Sequence, residues 1–415
     1  MYLSNVRATG ASPAARRPTA RVPATVVALG LVSFFTDVSS EMVAAFLPMY
    51  VLYGLGASYV HLGVLDGLYT GASALLRLVG GHLADRSARP KAVAVAGYGL
   101  SAASKLMFPL AGGMLGGIGT AVAVDRAGKG LRTAPRDALI TAAAPPKQVG
   151  AAFGVHRALD TAGALLGPMV VFALVAGVGQ AYDAVFAVSF CLAMTGLMIL
   201  IFFVRDRTVA PGARPRVLPR DGWRLLARPP LRRAAPYAAL LGLATAGDAF
   251  VFVAVQRQSG LGVAALPLLP LGTSLVFLAA AVPAGRLADR VGGWRVFLVG
   301  HVLLATAYGL LAGGPGGVGV ALAVLLLHGL FYASTDGVLM ACLAPRLPEH
   351  LRASGLGITQ AGQAMARMCG AIGFGALASG WDLRTSFTVF AALLAAGLVL
   401  ASAFPPHELK EQPSS

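Results

Sequence analysis

Long apolar runs separated by short polar or glycine-rich breaks recur twelve times along this chain, near residues 24–50, 59–82, 91–111, 114–133, 150–177, 181–204, 235–256, 262–286, 293–313, 318–341, 353–378 and 385–404. About 20 mostly apolar residues cross a bilayer as one helix, so each run has the length of a span. Helices are expected because a bilayer offers no water to unpaired backbone groups. The pattern therefore predicts an all-α polytopic membrane protein with twelve transmembrane helices. A tail over 1–23, a linker over 205–233 and a second tail over 405–415 lie outside the runs, leaving six-helix segments at 24–204 and 234–404.

The two segments share their punctuation. Gly81-His-Leu-Ala-Asp85-Arg86 and Gly285-Arg-Leu-Ala-Asp289-Arg290 stand 204 residues apart, each ending one apolar run and opening the next. Ala151-Ala-Phe-Gly154, leading to Gly167, overlays Ser354-Gly-Leu-Gly357, leading to Gly370, at an offset of 203 residues. Asp37 and Asp248 each sit 13 residues into the first run of their half. Repetition at half length points to two pseudo-symmetric six-helix bundles, an architecture associated with moving solutes.

Composition narrows the class. The chain is 57% hydrophobic and 12% charged, with a mean hydropathy of +0.73. A water-soluble surface needs about twice that charged fraction. The net charge of +16 raises nucleic acid as a partner, but its distribution argues against one. Basic residues crowd the first tail and alternate loops: Arg16, Arg17 and Arg21; Arg86, Arg89 and Lys91; Arg132, Arg136 and Lys147; then Arg290, Arg295, Arg346 and Arg352. The 205–233 linker holds nine arginines against Asp206 and Asp221. Intervening loops such as Gly54–Tyr59 and Ala111–Gly117 carry no basic residue, with Arg257 and Arg384 the exceptions. The positive-inside rule then puts both termini and the linker in the cytoplasm of a plasma-membrane protein, with anionic headgroups as the partner of the excess charge. The apolar run after the first tail is too long for the core of a cleavable signal. Cys191, Cys342 and Cys369 fall within apolar runs without metal or disulfide spacing.

Some of these residues carry a resemblance. The Gly81–Lys91 segment resembles the loop 2–3 signature of the major facilitator superfamily, with Ala88 where a glycine is usual; the second copy keeps it as Gly292. Arg126 with Gly130 resembles the fourth-helix arginine motif. Gly163-Ala-Leu-Leu-Gly167-Pro168 resembles the fifth-helix motif associated with antiporters, although Val171 and Phe172 replace glycines that often follow. Phe34-Phe-Thr-Asp37-Val-Ser-Ser-Glu41 and the stretch from Asp125 to Asp137 look like a prokaryotic branch of the superfamily. The resemblance implies two bundles, a central cavity and alternating access. It also implies a gate at Gly81, Asp85, Arg86 and Arg89 with its copy at Gly285, Asp289 and Arg290, and helix packing at Gly163, Gly167 and Pro168.

Deep ionisable residues supply the candidate chemistry. Asp37 and Glu41 are four apart and share a helix face. An intramembrane carboxylate costs several kcal/mol unless paired, hydrated or protonated, which makes it a candidate proton carrier. Asp66 and Lys105 fall within roughly 10 Å of the outer face on adjacent runs and read as a structural pair. Asp125, Arg126, Lys129, Arg132 and Arg136 share a broad face of the fourth run, and the fifth adds His156, Arg157 and Asp160. This group either binds an anionic cargo or forms internal locks of Arg126 with Asp160 or Asp37. In the second half the deep groups are Asp248, His328, Asp336 and Arg367. His328 is a candidate proton relay, and Asp336 a candidate partner of a loop arginine.

Enzyme motifs are missing from the sequence: no phosphate-binding loop, zinc-protease helix or serine elbow is present. No cofactor or metal is expected, and a proton gradient is the expected driving force. The sequence thus points to a monomeric secondary transporter of a small solute, with proton-coupled export favoured. Uptake of an organic anion or metal chelate stands as the alternative, leaning on Arg126, Lys129 and Arg157. A non-transporting receptor or lipid-handling protein is the competing class.

Overall fold

A computed structural model describes residues 23–86, 89–145, 148–179, 182–205, 229–348 and 352–403. The 1–23 tail up to residue 22, most of the 205–233 linker, the 405–415 tail and the side chains of Gly81, Asp85 and Arg86 lie outside the described residues. No strand occurs among the residues described. The first half holds α1 (Ala24–Met49), α2 (Tyr59–Arg86), α3 (Pro90–Leu110), α4 (Leu115–Ala143), α5 (Val149–Val178) and α6 (Tyr182–Phe203). The second holds α7 (Pro229–Leu243), α8 (Asp248–Ser259), α9 (Leu269–Val291), α10 (Gly293–Gly313), α11 (Val318–Thr335), α12 (Val338–Leu343), α13 (Arg352–Gly380) and α14 (Leu383–Ala403). Short turns of other helical type follow α1, at Tyr50–Gly54, and precede α9, at Val263–Leu268.

Nine helical stretches among the described residues are long and apolar enough to cross a membrane. Three further helices, α2, α4 and α13, are as long, at 28, 29 and 29 residues. Of these α4 carries six charged residues. It continues ten residues beyond the run that ends near 133, because Arg132 and Arg136 find partners inside the protein instead of ending the helix. Large apolar side chains such as Leu110, Met114, Phe202, Phe203 and Val399 are exposed, the surface expected of a protein solvated by lipid.

Two predicted spans are broken. The seventh run divides at Ala244–Gly247 into α7 and α8, and the Ala246 amide donates to the Tyr308 hydroxyl at 2.8 Å instead of continuing the helix. The tenth divides at Asp336–Gly337, where Gly337 takes φ +82°, a conformation open to glycine at little cost. Interrupted helices at membrane depth are tolerated where they are buried in protein or line a cavity.

In the first half α1 lies against α5 and α6, and α3 against α4 and α6; in the second, α11 lies against α9 and α10, and α7 against α13. The principal contact between halves runs along α2 and α13. Gly63, Gly67 and Gly71 form a stripe at four-residue spacing on α2. A β-carbon at Gly63 would meet the Ala371 carbonyl at 2.6 Å, and one at Gly375 would meet the Tyr59 carbonyl at 2.6 Å. Small residues at this spacing let backbones approach closely. At the face opposite the start of α1, here termed the distal face, Tyr53 donates to Gln256 at 2.8 Å and the Val60 amide donates to Ser379 at 2.9 Å. The Arg257 guanidinium lies 5.8 Å from the Tyr53 ring and 5.5 Å from the Tyr59 ring. These links join the two halves on that face.

Candidate functional site

A cavity of about 340 Å³ lies between the halves, bordered by α1, α2, α5, α8, α9 and α11. That size suits a small organic molecule. Its polar lining includes Glu41, Asp66, Asp248 and Asp336 together with Tyr69, Thr70, Thr273, Ser274 and Tyr332, while Phe252, Phe277, Leu62 and Leu266 form apolar walls. No lysine or arginine is among the lining residues described.

The second-half side of the cavity is an ordered polar group. Asp248, the first residue of α8, accepts from the Tyr332 hydroxyl at 2.7 Å at both carboxylate oxygens. His328 Nε2 stands 3.4 Å from Asp248 Oδ1, and its Nδ1 is 3.2 Å from the Thr273 hydroxyl. Despite these partners, 43% of the Asp248 side chain is accessible, on its cavity side. Arg367 lies behind this group, 5.5 and 5.7 Å from the Phe331 and Tyr332 rings.

The first half is organised by charge. Asp125 accepts from Lys105 at 2.8 Å and from Ser101 at 2.5 Å, and it forms a close ion pair with its neighbour Arg126. Lys105 is fully buried and Arg126 almost so. Arg126 also lies 3.8 Å from the centre of the Tyr69 ring, whose other surroundings include the cavity. Asp37, on α1, faces Arg132 at 3.7 Å and lies within hydrogen-bonding reach of Asp160 on α5. Arg136 and Arg157 approach Asp160 at 3.8 and 3.3 Å. Lys129 is half-buried within electrostatic reach of Asp37 and Glu41. His156 is 2.8 Å from the Ser33 hydroxyl.

Several expected placements change. Asp66 and Lys105 do not pair: Lys105 is directed to α4, where Asp125 binds it, while Asp66 borders the cavity. Arg126 is locked by Asp125, not by Asp160 or Asp37. Asp336, expected beside a loop arginine, borders the cavity at the end of α11. Of the deep candidates, Glu41 and Asp248 line the cavity, whereas Asp37, Arg126, Lys129, Arg157, Asp160, His328 and Arg367 are not among its lining residues. Arg157 has 77% of its side chain exposed. Tyr69, Thr273 and Tyr332 were not singled out by the sequence, because hydroxyls on apolar helices carry no periodic signal.

Arg89, Asp289 and Arg290 are exposed, and Gly285 faces open space. Gly163 and Gly167 pack on α1. A β-carbon at Gly167 would stand 2.8 Å from the Val38 carbonyl and 2.9 Å from the Met42 amide, and Pro168 borders the cavity. Backbone cannot yield as a side chain can. Gly167→Leu is therefore expected to cost about 1–3 kcal/mol by overpacking, read as a lower melting temperature in detergent; unchanged melting would refute that contact.

Comparison with known proteins agrees with this architecture. The Major Facilitator Superfamily pattern matches residues 29–323 and 271–415. An uncharacterized MFS-type transporter of Methanocaldococcus jannaschii is 28% identical over 345 residues, 80% of this chain and 83% of that protein. An uncharacterized protein of Mycobacterium tuberculosis is 33% identical over 222 residues, 50% of this chain and 54% of that one. Among solved structures, the nucleoside transporter NupG superposes with a TM-score of 0.79 at 14% identity, over 94% of this chain and all of that one. A POT family transporter in complex with 5-aminolevulinic acid gives 0.77 at 13% identity, over 93% and 97% of the two chains. With its helices wrapped around a cavity and the family pattern running across both halves, the chain belongs to the Major Facilitator Superfamily.

Proposed function

We propose that the chain is a proton-coupled secondary transporter in which twelve crossings form two six-helix bundles that rock about the central cavity. The cavity between the halves carries this reading: a site bordered by helices of both is what alternating access requires. The basic loops support a topology with the termini in the cytoplasm and the distal face outside. Proton coupling is supported by carboxylates at membrane depth, since a charge held there must be neutralised before its helix can pass a dry seal. Asp37 is the coupling residue of this scheme, with Asp160 as its neighbour and Arg132 as its ion-pair partner. Export by antiport is the assigned direction.

The lining also bears on cargo. Four carboxylates without a lining base favour a neutral or cationic solute with an apolar body over an organic anion. Arg126 is engaged by Asp125 and Tyr69, and Arg157 by Asp160, so neither offers an anion site in the cavity.

The test is proton movement in inverted membrane vesicles, followed with a pH-sensitive dye while amines, neutral amphiphiles, organic acids and metal chelates are added singly. An amine or neutral amphiphile is expected to collapse the proton gradient in vesicles containing the protein and not in vesicles lacking it. Response to organic acids alone would replace this reading with anion transport, and no response to any compound would remove proton antiport.

A further inference from the structure

We infer that Asp66 is the latch that holds the distal face shut, by capping the broken helix of the opposite half. Its carboxylate reaches from α2 across the interface to Gly247, the N-cap residue of α8, and occupies the space where a capping side chain of that residue would begin, close to the Ala249 amide. The first amides of a helix have no partner within it and form its positive end. Within the second half, Ala246 at the break is already bound to Tyr308. The carboxylate placed at the start of α8 comes from the first half, so the contact exists only while the halves are together at this level.

The surrounding sequence makes room for that contact. Gly63 and Gly67 bracket Asp66 and bring α2 against α13. Gly247, immediately before α8, has no side chain, and a β-carbon there would collide with the Asp66 carboxylate and stand 3.1 Å from Ala371. Asp66 also borders the cavity, unlike the rim contacts of Tyr53, Gln256 and Arg257. The charged and titratable groups that border the same cavity are Asp248, Tyr332 and Asp336 from the second half and Glu41 and Tyr69 from its own, with His328 against Asp248 and Arg367 against the Tyr332 ring. A solute in the cavity therefore meets the same carboxylate that closes the distal face. Asp66 is a positioning residue: it acts through α8.

This inference rests on the alternating-access reading but is tested without cargo. Thr70, which borders the cavity, is replaced by cysteine in a background where Cys191, Cys342 and Cys369 are alanine. Its labelling by a membrane-impermeant maleimide is then timed from the distal face in intact cells. Asp66→Ala removes the acceptor and is expected to raise the rate about fivefold, the change produced by losing a cap of typical strength. Gly247→Ala leaves Asp66 in place but displaces its carboxylate, and is expected to do the same. Asp66→Asn keeps an oxygen able to cap the start of α8 and is expected to label no faster than the parent. Size-exclusion chromatography of each variant in detergent separates misfolded protein from opened protein. Unchanged labelling in folded Asp66→Ala or Gly247→Ala would overturn the latch, as would Asp66→Asn labelling as fast as Asp66→Ala. Faster labelling with a silent vesicle assay would keep the latch and remove proton antiport; the converse result would do the opposite.

Discussion

Asp125→Ala is expected to leave little folded protein. The substitution strips Lys105 and Arg126 of their shared counter-ion while both remain buried, with side-chain exposures of 0% and 2%. Removing one partner of a buried ion pair costs about 3–5 kcal/mol, because the charge left behind is uncompensated. Ser101 loses its acceptor as well. The loss should appear as a fall in monodisperse yield and a melting temperature several degrees below the parent. Asp125→Asn should be nearly as damaging, since it keeps the shape and removes the charge. If Asp125→Ala melts with the parent, the triad does not organise α3 and α4.

Asp37→Asn has the opposite profile: folded protein without coupling. Asp37 sits between Arg132 and Asp160 at the junction of α1, α4 and α5, and asparagine fills the same space. Its charge cannot then alternate between a proton and an ion pair. Proton-dependent flux is expected to fall roughly 5- to 150-fold, the span of ordinary coupling free energies, while size-exclusion behaviour is retained. The comparison requires a cargo identified in the vesicle assay, with flux measured at equal protein and with and without an imposed pH gradient. Full gradient-driven flux in the variant would move coupling elsewhere, with Asp66 and Asp248 the next residues to replace.

Much of the helical order was legible in the chain because lipid imposes a simple rule on composition. The apolar runs marked where helices lie, and the charges of α4 showed where polar structure enters the interior. Depth could be counted at a fixed rise per residue, but direction around a helix could not. Asp66 and Lys105 fall at similar depth, yet one borders the cavity and the other is bound to Asp125. The breaks were equally hidden. Ala244-Thr-Ala-Gly247 is no more polar than its flanks, and the interruption involves a Tyr308 hydroxyl 62 residues away. Asp248 was readable as a deep acid from its place in the repeat, whereas its Tyr332 and His328 partners are a product of tertiary packing.

The glycine stripe of α2 has a mechanical consequence. Between most helices, side chains interlock, and relative motion requires many rotamers to disengage and reset. At Gly63 the opposing surface is the bare backbone of Ala371 and Gly375, with no rotamers of its own, and the single Met368 side chain lies over both Gly67 and Gly71. Such a seam behaves as a plain bearing: it returns to one geometry after every stroke, and friction enters only if a side chain is added. Alanine at Gly63, where the obstacle is backbone, would act as grit, slowing the stroke while leaving the shape of the cavity to its own residues.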